Sequence, residues 1–276
     1  MTTFVDLTHE FHDGMPGFRM DASTVGAAGD NSRTDDRDDP RDDVRDSPRA
    51  DDHDGRRETD RDGLREDTAE SDDGVIEYTA HVERFLTHEE TRPLFDGRCS
   101  FEITELRCQT SVGTYVDAPV HRHPGERDVS DLALDDLIAP GVVVDARGRD
   151  PYEPVGPDVL PDDADLEGAA VLFDFGWSDY WGTEQYREYP YVSRRLLDRL
   201  VDAEPALVGV DTINVDDDRN PDRPAHTRLL GNDVLVVENL RGLDRLHGHS
   251  FRFQALPVPV AEAAAMPVRA VAELDD

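Results

Sequence analysis

Apolar residues along this chain fall into short runs set between acidic stretches, and most of the runs predict strands rather than helices. β-Branched and other apolar side chains crowd positions 4–7, 142–146, 170–175, 206–211, 234–238 and 251–260, lengths that suit buried strands. Four of these runs have a carboxylate at or one residue before their end: Asp145, Asp174, Asp211 and Glu238. Strand ends are where α/β folds place functional groups. Helical spacing is clear in two places. Leu196, Leu197, Leu200 and Val201 share one face of a helix that Ser193 can cap, and Leu134, Leu137 and Ile138 suggest a second helix starting at Ser130. Residues 83–90 suggest a third. The whole predicts a mixed α/β domain in which strands outweigh helices.

The pattern breaks between residues 30 and 73. This segment holds 19 acidic and 9 basic residues in 44, with Val44, Ala50, Leu64 and Ala69 as its apolar side chains. So little apolar surface cannot offset the entropy of ordering, which predicts a disordered Asp/Arg-rich insert. The expected organisation is residues 1–29 as an opening strand and loop, 30–73 as the insert, and 74–276 as the main body of the same domain.

Charge narrows the function. The 276 residues include 63 acidic and 29 basic ones, a net charge of −34, and every basic residue is arginine. Such a chain repels nucleic acid and anionic membrane surfaces. Without lysine there is no P-loop lysine, Schiff-base lysine or lysine general base. No apolar run approaches the roughly 18 residues of a membrane span. The first residues lack the basic and apolar regions of a signal peptide, and two cysteines are too few for a disulfide framework. The expectation is a soluble cytoplasmic protein from a halophilic source, because dense carboxylates keep a protein soluble where salt screens their repulsion.

Candidate chemistry concentrates in two segments. In Ser111-Val-Gly-Thr-Tyr-Val-Asp-Ala-Pro-Val-His121, Asp117 and His121 lie four apart around Pro119, which forbids a regular helix. A carboxylate and an imidazole on a rigid turn can bind a metal or share a proton. An Asx turn beside a surface histidine is the plainer alternative. In the second segment, Pro224-Ala-His226 precedes the run ending at Glu238. A glutamate closing an apolar strand needs a partner, and His226 is a candidate; two unrelated polar residues at element ends are the alternative. Asp216, Asp218 and Asn220 imitate a calcium loop until Pro221 replaces its glycine. Trp177, Tyr180 and Trp181, and more weakly Phe11, Met15 and Phe18, can line a substrate pocket or pack in the core. His123, His247 and His249 read as surface residues.

These segments resemble the metal-dependent cyclase family, which includes bacterial kynurenine formamidases and isatin hydrolases. Its signature, His-x-Gly-Thr-His-x-Asp-x-Pro-x-His, aligns without a gap over residues 111–121. Asp6-Leu-Thr-His9, Gly176-Trp-Ser-Asp-Tyr-Trp-Gly182, Gly209-Val-Asp-Thr212, Pro224-Ala-His226 and Val237-Glu-Asn-Leu240 resemble further family segments in the family's order. The resemblance implies a swivelling β/β/α domain around a barrel-like mixed sheet, assembled as a homodimer or larger homo-oligomer. It implies zinc or manganese, and hydrolysis of a small amide, formamide or lactam C–N bond by metal-activated water, arylformamidase-like, with a place in tryptophan catabolism.

The resemblance also assigns roles. Asp117, His226 and Glu238 become metal ligands, and His121 and Glu238 the catalytic groups that handle protons. Ser111 and Tyr115 stand where the family has histidines. Serine is a weak neutral ligand, and tyrosine must ionise from a pKa of about 10 to bind well. The expected site therefore holds one divalent ion, with Ser111, Tyr115, Trp177 and Phe18 as substrate contacts. The alternative is a metal-free relative that binds a small ligand, or performs an acid–base cyclisation or dehydration with His121, Asp117 and Glu238.

Overall fold

Period-two alternation along the apolar runs is what closes this fold. The computed structural model describes residues 2–21, 75–161 and 165–275. The strands, in chain order, are β1 (Thr3–Asp6), β2 (Arg19–Asp21), β3 (Val75–Glu77), β4 (Ala80–Leu86), β5 (Ile103–Cys108), β6 (Tyr115–Asp117), β7 (Ile138–Asp145), β8 (Pro154–Val155), β9 (Ala170–Asp174), β10 (Tyr191–Val192), β11 (Leu207–Val210), β12 (Leu235–Glu238), β13 (Phe251–Pro257) and β14 (Ala265–Leu274). The chain forms two compact units, residues 1–18 with 78–276, and residues 19–77. In the smaller unit β2 pairs antiparallel with β3, Asp21 opposite Val75, and Arg19 meets Glu77 at 3.0 Å. The expected insert, residues 30–73, lies outside the described residues.

In the larger unit the strand order is β1-β14-β13-β7-β9-β11-β12-β6, and β6 pairs back onto β14. Seven strands thus close into a mixed barrel, with β1 added to β14. β7, β9, β11 and β12 run parallel to one another, and the other pairings of this sheet are antiparallel. Because successive side chains point to opposite faces, the strands split their apolar residues between two cores. Val116, Leu172, Leu207, Val237 and Phe253 meet in one. Val171, Phe173, Val208 and Val236 face the other way, against Leu196, Leu197 and Leu200 of the helix Arg194–Ala203 and Leu229 of the helix Pro224–Leu230. Each buried leucine contributes about 1.5–3 kcal/mol. Gly209 keeps the first core tight, since a Cβ there would lie 2.5 Å from Leu172 and 2.7 Å from Leu240.

All six expected strands form. The Ser193-capped helix also forms, with the serine hydroxyl accepting from Leu196 N at 3.3 Å. The helix expected from Ser130 does not form as one piece. Asp128, not Ser130, caps a short 3-10 turn at Val129–Asp131; a helical turn follows at Leu134–Leu137, and Ile138 already starts β7. The Asp128 carboxylate takes the Ser130 N–H at 2.8 Å and starts the 3-10 turn, and Leu132 turns extended at its end. Residues 83–90 divide similarly: β4 runs to Leu86, and the helix His88–Thr91 begins at Thr87, which forms a capping box with Glu90. β14 escapes the apolar-run pattern because its buried positions are mostly small alanines, Ala265, Ala270 and Ala272. Among the described residues no helix is long and apolar enough to cross a membrane.

Candidate active site

The register between β6 and β12 builds the site. Tyr115 lies opposite Glu238 and Asp117 opposite Val236. Alternation then puts Tyr115, Asp117 and Glu238 on the face turned away from Val116 and Val237, toward the helix Pro224–Leu230. His226 sits on that helix, 2 % exposed, beside Asp117 at 1 % and Glu238 at 0 %. Its Nε2 lies 3.5 Å from Asp117 Oδ2 and 3.3 Å from Glu238 Oε1. Gly113, at φ +68°, lets the signature turn through its left-handed position. Pro119 opens the 3-10 turn Pro119–His121, which brings His121 Nδ1 back to 3.7 Å from Asp117 Oδ1. The rings of His121 and His226 are 5.7 Å apart.

A further residue completes the site. Asp216, buried, accepts from Ala225 N at 2.6 Å, from His226 N at 3.0 Å and from His226 Nδ1 at 2.8 Å. With a proton on Nδ1 shared with Asp216, Nε2 is turned toward Asp117 and Glu238. The sequence offers only an abortive calcium-like loop around Asp216, and no spacing rule ties it to His226. Burial by itself would discharge His226. The charges of Glu238, Asp117 and Asp216 outweigh it and hold its pKa well above the ordinary histidine range. Asp216 also resists burial, through its bonds to His226, and is held below the usual carboxylate range.

Glu238 and Asp117 differ in what satisfies them. The Tyr115 hydroxyl donates to Glu238 Oε2, and Val215 N donates to Oε1 at 2.8 Å. Burial, with the charges of Glu238 and Asp117, pushes the Tyr115 pKa well above 10, so the phenol stays a donor. Asp117 is the opposite case: both carboxylate oxygens are buried without a hydrogen-bond partner among the described residues. A buried carboxylate left in this way is costly unless a cation pairs with it. Asp117, His121 and His226 each present a ligand atom, all within 4.8 Å of one another, and this donor set fits a divalent cation. Glu238, expected as the third ligand, stands next to this group with both oxygens engaged, and His121 joins it instead.

The sequence matches the putative cyclase family over residues 5–217. The chain belongs to that family. A kynurenine formamidase of Salinibacter ruber is 33 % identical over 184 residues, covering 64 % of this chain and 82 % of the relative. A kynurenine formamidase of Paracidovorax citrulli is 29 % identical over 179 residues, covering 63 % and 81 %. The crystal structure of an isatin hydrolase bound to the product analogue thioisatinate superposes with a TM-score of 0.72 at 16 % identity, covering all of this chain and 93 % of the other. That likeness establishes the shared fold.

The remaining expected contacts scatter. Ser111 is half-buried at the start of the turn. Trp177 packs in the core with its ring 5.1 Å from Tyr180, which is the core-packing alternative. Phe18 is half-buried beneath the Arg223 guanidinium at 5.4 Å, next to the helix that carries His226. Of the other strand-end carboxylates, Asp211 accepts from Phe175 N and Trp177 N at 3.0 and 2.8 Å and so shapes the loop after β9. Burial raises its pKa to about 7, against the pull of those N–H groups and with help from Asp174. Asp174 in turn holds His247 at 2.7 Å, so that histidine is anchored rather than a free surface group.

Proposed function

We propose that this chain is a metal-dependent hydrolase of a small amide, formamide or lactam C–N bond, arylformamidase-like, working with a single divalent ion. The observation that carries the reading is the buried Asp117 carboxylate, without a hydrogen bond at either oxygen among the described residues and grouped with His121 and His226. The kynurenine formamidases among its relatives support the substrate class. Neighbours in fold described as potential or predicted metal-dependent hydrolases support the ion. Asp117, His121 and His226 would hold the ion, zinc or manganese, and Glu238 lies next to them. A divalent cation supplies Lewis-acid polarisation of the carbonyl and lowers the pKa of water.

The chain's own groups do the rest. Asp216 keeps His226 turned toward the site. Glu238, locked by Tyr115 and Val215, supplies fixed negative charge. His121, whose side chain is 29 % exposed, completes the ligand set on the side open to solvent. The assembly is a homodimer or larger, in the cytoplasm; exposed Phe85, Leu94 and Phe95 supply apolar surface for such a contact.

One observation favours the metal-free alternative: the neutral Tyr115 hydroxyl on Glu238, which can act as an acid–base pair without an ion. Formate release from formanilide, in high salt, decides between them. The hydrolase reading expects activity that chelation abolishes, that zinc or manganese restores, and that Asp117→Asn removes. Hydrolysis indifferent to chelator, or none from protein loaded with either ion, overturns it.

A further inference from the structure

A cavity of about 680 Å³ lies beside the segment that follows β1, lined also by residues of β5 and β14. None of Asp117, His121 or His226 lines it, and its size suits a small organic molecule. Phe11, Leu106, Val258 and Met266 give it apolar walls. Its charges are unevenly committed. Arg269 is held by Asp6 at 2.7 Å. Arg241 donates its backbone N–H to Leu7 O at 3.0 Å, while its side chain makes no hydrogen bond or ion pair among the described residues. His9 forms part of the lining and is 7 % exposed. Its ring is stacked 3.9 Å from Trp181, and its backbone N–H donates to Thr114 Oγ1 at 3.1 Å. Its Nε2 has no hydrogen-bond partner among the described residues. Burial, then the charge of Arg241, pushes the His9 pKa down to about 3, so the ring is neutral at physiological pH.

We propose that this cavity binds a small monocarboxylate with an apolar, ring-sized body. The body lies against Phe11, Leu106 and Met266, and the carboxylate meets the Arg241 guanidinium, whose planar fork suits it. Glu10 shares the lining and is exposed, which disfavours a second negative charge on the ligand. The site is independent of the metal-hydrolase reading.

Benzoate is the probe and benzamide its neutral control, titrated at fixed high salt and followed by tryptophan fluorescence, since Trp181 backs His9. The expected result is one benzoate per chain, with benzamide weaker by about tenfold or more, the scale of a charge-assisted pair. Arg241 is exposed, so Arg241→Gln should fold normally; it should remove that preference and leave zinc binding as in the wild type. Equal binding of the two probes, no binding of either, or unchanged selectivity in Arg241→Gln overturns the proposal. So does benzoate binding that weakens as protein concentration rises, because a second copy of the chain would then be the occupant.

Discussion

The carboxylate of Asp216 accepts both the backbone N–H and the ring Nδ1–H of His226, at 3.0 and 2.8 Å. One acceptor thus sets where the helix Pro224–Leu230 begins and which nitrogen faces Asp117. Asp216→Asn is nearly isosteric but puts an NH2 group among these donors. It should therefore favour the other tautomer, with a proton on Nε2, and lower zinc affinity roughly 10–100-fold. Competition titration against a chelator measures this, and the thermal midpoint of the metal-free protein reports whether the fold persists. Unchanged affinity would mean that Asp216 serves only the helix.

The wild-type protein should bind one divalent ion per chain. Tyr115 is kept protonated on Glu238 and offers no anionic ligand. The double change Ser111→His and Tyr115→His should admit a second ion, because neutral imidazole is a good ligand near pH 7. Calorimetric titration counts both. Two ions in the wild type would show that Ser111 and Tyr115 do not close a site.

Asp211 gives a pH signature. Its folded pKa, about 7, lies above the unfolded value near 3.9. The folded state therefore binds more protons between these values, and this group's contribution to stability falls as pH rises from about 4 through 7. Asp211→Asn keeps the shape of the side chain and removes the titration. The thermal midpoint of the variant relative to wild type should climb across that window, with a ceiling of about 4 kcal/mol at 1.4 kcal/mol per unit. A constant difference from pH 5 to 8 would show that Asp211 is ionised throughout.

Residues 30–73 should be dispensable for folding. Asp21 pairs with Val75, so the chain enters and leaves this region at adjacent strands, and loop length costs little once its ends are fixed. Replacing the segment by a short linker should move the thermal midpoint in high salt by no more than a few degrees. Loss of solubility or of assembly would reveal a role in packing.

Much of this was legible along the chain, because it is local. The strands announce themselves through runs such as Val142–Val144, the long helix through Ser193 and its leucine spacing, and the turn from Gly113 to His121 through the backbone limits of glycine and proline. The family resemblance, through the signature and two later segments, pointed to Asp117, His121, His226 and Glu238, and the fold sets His121 3.7 Å from Asp117, and His226 3.5 Å from Asp117 and 3.3 Å from Glu238. What tertiary structure alone decided is non-local. The antiparallel register that sets Tyr115 opposite Glu238 is a property of two strands about 120 residues apart. Slipping it by one residue would turn the tyrosine to the other face. That register is why the tyrosine hydroxyl claims Glu238, why Asp117 is left without a hydrogen bond, and why His121 rather than Glu238 completes the cation-ready group. Asp216 and the neutral His9 belong to the same class. Their roles come from burial and from partners distant in sequence, which no pattern along the chain encodes.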